Sequence, residues 1–115
     1  EHLIDPALLR RYREYRAAVD QEYRRWHLVA PYARHLGCSA KSLNRACRAA
    51  SDTTAKRVIV ERIILEAKRL LAHRGDTAAR ISADLGFDEP TNFAKFFRRE
   101  TRLTPAAFRA TVRTS

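Results

Sequence analysis

The sequence predicts an all-α fold of seven helices, forming two helix-turn-helix subdomains joined by a long central helix. Three observations carry that expectation. Apolar residues recur at steps of three or four almost throughout the 115 residues, and strand-like alternation is missing. Only three glycines and four prolines occur, and they fall at or near the ends of the periodic segments. The chain also resembles itself: "YARHLG" (32–37) and "ISADLG" (81–86) each end a short helix on Leu-Gly and lead into a second helix.

The first helix is expected from about Pro6 to Arg25. Leu8, Tyr12, Tyr15, Val19, Tyr23 and Trp26 form one apolar stripe, and Pro6 suits the first turn. The second runs from about Val29 to Leu36 and ends at Gly37; Pro31 lies in its first turn, where an amide has no partner to lose. The third has Ser39 as N-cap and reaches about Ala50. The fourth starts after Thr54 and continues to His73 or Arg74, stopping at Gly75. The fifth starts near Thr77 and ends at Gly86. The sixth starts after Asp88 as cap, with Pro90 in its first turn, and ends near Thr101. The seventh opens with Thr104 as N-cap and Pro105 at its first position. The expected organisation is a first subdomain over 1–53, a connecting helix over 54–74 and a second subdomain over 75–115.

The two copies are offset by 49 residues at the glycines and 50 at the apolar triplets that follow, Leu43, Ala46, Cys47 and Phe93, Phe96, Phe97. Helix, glycine turn, helix is the pattern that places a second helix in a DNA groove. That second helix needs one face for packing and another for long donors. In the first copy Leu43, Ala46, Cys47 and Ala50 make the packing stripe, and Lys41, Asn44, Arg45 and Arg48 a polar one. In the second the phenylalanines pack while Thr91, Lys95 and Arg98 project together. The fourth helix, of roughly 20 residues, would span about 30 Å at 1.5 Å per residue. Successive major-groove faces recur at about 34 Å.

Charge narrows the partner. Lys and Arg number 23 against 13 Asp and Glu, a formal +10, which favours nucleic acid or an anionic membrane. No run approaches the ~18 apolar residues of a membrane span, and no signal peptide is visible. A membrane-surface module would leave large apolar faces open, whereas here those faces recur at packing positions. A basic helical RNA-binding or anionic-membrane-binding module is the alternative reading; single-strand binders place aromatics among their exposed cations. No catalytic constellation appears. His35, Cys38 and Cys47 fit no zinc spacing, so no metal, cofactor or enzyme activity is expected. The two cysteines give no disulfide framework, which points to a reducing cytoplasm. Met is absent, so the chain is expected to be part of a longer product with an N-terminal portion ahead of Glu1.

With these residues in hand, the chain resembles the DNA-binding domain of AraC/XylS-family bacterial transcription regulators over about residues 3–112. "RIILEAKRLL" (62–71) resembles the family's connecting helix, and "LGFDEPTNFAKFFRRETRLTPAAFR" (85–109) its signature. The family usually has glycine where Asp52 and Arg102 stand, alanine at Ser82 and a bulkier aromatic at Cys47. The resemblance implies sequence-specific binding of double-stranded DNA to control promoter transcription, with recognition helices about 39–50 and 89–101 entering adjacent major grooves. It implies base contacts from Lys41, Asn44 and Arg45 and from Glu89, Pro90, Thr91 and Lys95. Phosphate contacts are expected from Ser39, Ser42, Arg48, Asn92, Arg98, Arg99 and Thr104. It further implies RNA polymerase as a partner, and an effector ligand or dimerisation through a separate N-terminal domain. The isolated domain is expected to be a monomer.

Overall fold

The computed structural model describes residues 3–73 and 75–113. Among these residues lie seven helices and no strand: α1 (Pro6–Glu22), α2 (Val29–Leu36), α3 (Ala40–Ser51), α4 (Ala55–His73), α5 (Ala78–Asp84), α6 (Pro90–Thr101) and α7 (Pro105–Arg113). The chain divides into two compact units, residues 1–62 and 63–115, and the division falls inside α4. Arg74, one of the two expected ends of α4, lies outside the described residues.

In the first unit α1 packs on α3 and α2, and α2 on α3. Tyr15, Tyr32, Leu43, Ala46, Cys47 and Ile59 are fully enclosed, and Val19 nearly so. The rings of Tyr15 and Tyr32 meet edge to face at 5.6 Å. Asp5 caps α1 by accepting the Ala7 N–H at 2.8 Å. The helix stops at Glu22, earlier than Arg25. The Arg25 and Trp26 N–H groups both turn back to the Glu22 carbonyl, and the Tyr32 hydroxyl donates to the Trp26 carbonyl at 2.9 Å. Trp26 therefore leaves the α1 stripe and packs against Tyr32, with ring centroids 5.2 Å apart.

In the second unit α5 packs on α6 and α6 on α7. Phe97 touches Phe93 at 5.8 Å and Phe108 at 5.6 Å between ring centroids. Arg109 donates from Nε to the Leu71 carbonyl at 3.0 Å and so satisfies an acceptor near the end of α4. Phe93 and Phe97 are enclosed as expected; Phe96 is only half-buried, against Phe87 on one side and under the Arg99 guanidinium on the other.

Both glycine turns close alike. Gly37 and Gly86 take φ of 68° and 89°, the left-handed region that glycine adopts without Cβ strain. The N–H of Cys38 reaches the Ala33 carbonyl and that of Phe87 the Ser82 carbonyl, the same bond in each copy. The caps that follow differ. Ser39 Oγ accepts the Ser42 N–H at 3.0 Å. In the second copy Glu89, not Asp88, is the N-cap residue, and no side chain caps the helix. Pro90 is the cause: the residue before a proline is pushed to extended backbone, and Glu89 sits there at φ −135° and ψ 141°. Asp88 is one position too early. The Ser82 hydroxyl instead donates to the Glu89 carbonyl at 3.4 Å, which ties the end of α5 to the start of α6. After α3 and α6 the chain turns through Asp52 (φ 53°) and Arg102 (φ 70°), both left-handed without being glycine, at a cost of about 1–2 kcal/mol each.

Burial pushes the Tyr15 and Tyr32 hydroxyls well above the usual phenol range and the Cys47 thiol up to about 11, the latter opposed by Arg16. Groups raised in the folded state keep their stabilising effect below the unfolded pKa and lose it as pH climbs toward the folded one. All four tyrosines and both cysteines lie in residues 1–62. The urea midpoint reported by Trp26, the only tryptophan and also in this unit, should therefore fall as pH rises from about 8 to about 10.5. A flat midpoint over that range would contradict neutral, enclosed phenols.

Candidate nucleic-acid interface

The apolar stripe of α3 is anchored by Leu43, Ala46 and Cys47, each 0% exposed. With one face so fixed, 3.6 residues per turn send Lys41, Arg45 and Arg48 outward, and all three are exposed. They make no ion pair among the described residues. Three cations on one short helix face with no acid against them leave a positive field at the surface. The Ser39 hydroxyl is used in its cap and remains exposed. The Ser42 hydroxyl is half-buried and accepts from Arg11 Nη1 at 3.4 Å. Arg11 adds a cation from α1 to the base of this face, a residue the sequence reading missed because it sits on the edge of the α1 stripe.

Asn44 behaves differently from its neighbours. It is half-buried, and its Oδ1 accepts the Ala55 N–H, the first amide of α4, at 2.8 Å. Its two amide N–H donors remain. A bidentate adenine contact uses both the oxygen and the nitrogen of the amide, and here the oxygen is already engaged.

In the second unit Glu89, Pro90, Thr91, Asn92, Lys95, Arg98 and Arg99 are all exposed. Lys95, Arg98, Arg99 and Arg102 surround an open concavity of about 660 Å³ on the outer side of α6. Arg99 pairs with Glu100 at 3.3 Å and lies over the Phe96 ring. Lys95, Arg98 and Arg102 have no such partner among the described residues. Arg102, expected only as one of the cations of this stretch, joins the group because its left-handed backbone turns the chain at the end of α6. The C-terminal end of a helix tolerates cations well, since its dipole is negative there. Thr104 is exposed and uses its Oγ1 to cap α7, accepting the Ala107 N–H at 3.1 Å.

The two faces differ in what they can do. On α3 long donors stand close to the N-terminal end of the helix, where base edges are reached. On α6 the N-terminal residues are Glu89, an acceptor, and Pro90, without a side-chain donor. Its cations cluster toward the C-terminal end, which suits phosphate. Cys47 is enclosed with a raised pKa, the opposite of a reactive thiol's surroundings. Among the described residues no group of three His, Cys, Asp or Glu side chains comes together to hold a metal ion, and no helix is long and apolar enough to cross a membrane.

A family model described as a helix-turn-helix domain matches residues 32–111. No curated protein matches the chain in sequence. Solved structures that share its fold include the following three. One is a transcriptional regulator from Chromobacterium violaceum, of the proteins that contain an AraC-type DNA-binding domain, with 18% identity, TM-score 0.78 and coverage of 94% of this chain and 96% of that one. Another is the DNA-binding domain of AdpA, a global transcriptional factor, solved in complex with a target DNA, with 22% identity, TM-score 0.74 and coverage of 89% and 91%. The third is a DNA-binding transcriptional dual regulator from Escherichia coli K-12, with 19% identity, TM-score 0.69 and coverage of 88% and 96%. At these identities the likeness shows the fold.

Proposed function

The chain belongs to the AraC-type helix-turn-helix family, and we propose that it is the part of a bacterial transcription regulator that binds double-stranded DNA in a sequence-specific way. The family and fold are those of DNA-binding regulators rather than enzymes. One observation carries the reading. The second helix of each copy encloses the centre of its apolar stripe (Leu43, Ala46 and Cys47; Phe93 and Phe97), and Lys41, Arg45 and Arg48 on one and Lys95 and Arg98 on the other stand exposed with no acidic partner among the described residues.

In this reading α3 and α6 enter adjacent major grooves of one duplex, and α4, with the chain over 54–74, sets the distance between them. Its 19 residues span about 28 Å. Lys41 and Arg45 read base edges in the first groove, while the Asn44 oxygen beside them is already engaged by the Ala55 N–H. Thr91 and Lys95 read in the second, flanked by Glu89 and Pro90. Ser39, Ser42, Arg48, Asn92, Arg98, Arg99 and Thr104 lie along the phosphates. The first half-site is then the more discriminating, and the second is held mainly by charge. Promoter control through RNA polymerase, a cytoplasmic location, and an effector or dimerisation domain elsewhere in the protein complete the proposal. The support for these is the family.

The test is binding to duplex DNA across a salt series, with single-stranded DNA, duplex RNA and anionic vesicles as competitors. With ~6–10 phosphate contacts the log–log slope of affinity against salt should be on the order of −5 to −9, and duplex DNA should be preferred. A flat salt response, or a preference for RNA or vesicles, would overturn the reading.

A further inference from the structure

Ala55 is a junction of the first unit. It is 0% exposed, so water cannot serve its backbone groups. Its carbonyl accepts from the Tyr15 hydroxyl on α1. Its N–H, one of the donors that a helix start leaves without an intrahelical partner, is taken by Asn44 Oδ1 on α3. The other capping bond of this helix start, from the Arg57 N–H to Thr54 Oγ1 at 3.0 Å, leaves the Ala55 amide to Asn44 alone.

The second copy meets the same slot in another way. At the offset of 50, Asn44 corresponds to Ala94 and Ala55 to Pro105. Pro105 is buried and has no N–H; Ala94 has no acceptor. Each copy is self-consistent, whereas either mixture would strand a buried donor or leave the Asn44 oxygen idle. Asn44 therefore matches a need of the fold at this position, a need that the second copy removes.

We propose that Asn44 is a positioning residue: it supports sequence preference by locking α3 to the start of α4 through the Ala55 amide, rather than by presenting its side chain to a base. The bond fixes the rotation of α3 about its own axis. Arg45 is the next residue along and Lys41 three before, so a few degrees of rotation would carry both guanidinium and ammonium groups off their targets. The part of this proposal that concerns base preference rests on the DNA-binding reading; the part that concerns the bond does not.

Three variants of the full chain test it: Asn44→Ala, Asn44→Ala with Ala55→Pro, and Asn44→Asp. The first should lower the melting midpoint reported by Trp26 by roughly 5–15 °C, because it strands an enclosed amide. In sites selected from random duplexes it should flatten preference at every position of the first half-site, at least about threefold, and leave the second half-site unchanged. The double variant copies Ala94 and Pro105; with no donor left to strand it should restore the midpoint, but it lacks the bond between α3 and α4, so preference should stay flattened across the first half-site. Asn44→Asp keeps the acceptor and should melt within a few degrees of the parent. The proposal is overturned if Asn44→Ala melts like the parent, or if Asn44→Asp falls as far as Asn44→Ala. It is also overturned if preference is lost at a single base position only, the mark of a direct contact, or if the double variant regains its preference along with its midpoint, which would show that the bond is not what holds α3. Should the proline fail to fit, the aspartate midpoint and the one-position-or-all pattern still decide. A parent chain that binds no duplex would sink the DNA reading and leave the melting comparison intact.

Discussion

Ala67→Pro is expected to destabilise the chain by about 3 kcal/mol or more. Ala67 is 0% exposed and lies in the second half of α4, in a buried row with Ile63, Leu70 and Leu71. Proline there removes the amide that bonds four residues back and drives its ring against that carbonyl. Typical domains hold only 5–15 kcal/mol in total, so this change should remove a large part of the second unit's margin. The first unit should be spared, since its enclosed residues include Tyr15, Tyr32 and Leu43 and none beyond Arg62. Two probes separate the effects. The Trp26 fluorescence midpoint in urea should stay near the parent's, while the helicity midpoint by circular dichroism should fall. Ala67→Glu keeps helical propensity but buries a charge, and should act in the same direction by on the order of 3 kcal/mol. Leu65→Glu, at a position 63% exposed on the same helix, should change little. Equal effects of the two glutamates would show that the buried row is not what Ala67 serves.

Most of the fold is legible because period and punctuation agree. Gly37 and Gly86 mark turns that only a left-handed residue makes easily, and Pro90 and Pro105 mark helix starts. Where the structure departs from the sequence reading, a tertiary contact or a neighbour's stereochemistry decides. Tyr23 and Trp26 continue the spacing of α1 after the helix has ended. No glycine or proline signals the stop; beyond it the Arg25 and Trp26 N–H groups return to the Glu22 carbonyl and the Tyr32 hydroxyl takes the Trp26 carbonyl, contacts that periodicity cannot reveal. The shift from Asp88 to Glu89 as cap was available in the sequence, through the effect of Pro90 on its predecessor.

The candidate site divides the same way. The outward direction of Lys41, Arg45 and Arg48 follows from Leu43, Ala46 and Cys47 pointing in. Asn44 does not follow, because it sits on the border: at about 100° per residue it lies about 60° from Cys47 and about 40–60° from Arg48 and Lys41. Border positions are settled by what lies across from them, in this case the bare amide of Ala55. The offset between the copies held the clue, since a proline at 105 opposite an alanine at 94 removes the need that Asn44 meets. The concavity around Lys95, Arg98, Arg99 and Arg102 was legible as a cluster of cations in the chain. Its closure at Arg102 depends on a left-handed turn at a residue other than glycine.

The largest expected effect on binding comes from DNA spacing. The chain carries two copies of one helix-turn-helix pattern, and a single helix, α4, crosses the division between the two units. If each copy binds its own groove and α4 holds their distance, the site consists of two short motifs about 10 bp apart, one helical turn. Joining two weak contacts in this way raises affinity by about 10²–10⁴ over either alone. Inserting about 5 bp between the motifs turns the second groove to the opposite face of the duplex, where the second unit cannot follow. The decisive measurement is therefore the affinity of the chain for a selected site and for the same site with a 5-bp insertion, at one salt concentration. The account predicts a loss of on the order of a hundredfold, down to the affinity of the first half-site alone. Unchanged affinity would contradict it, because one unit would then be binding without the other or α4 would not set their spacing.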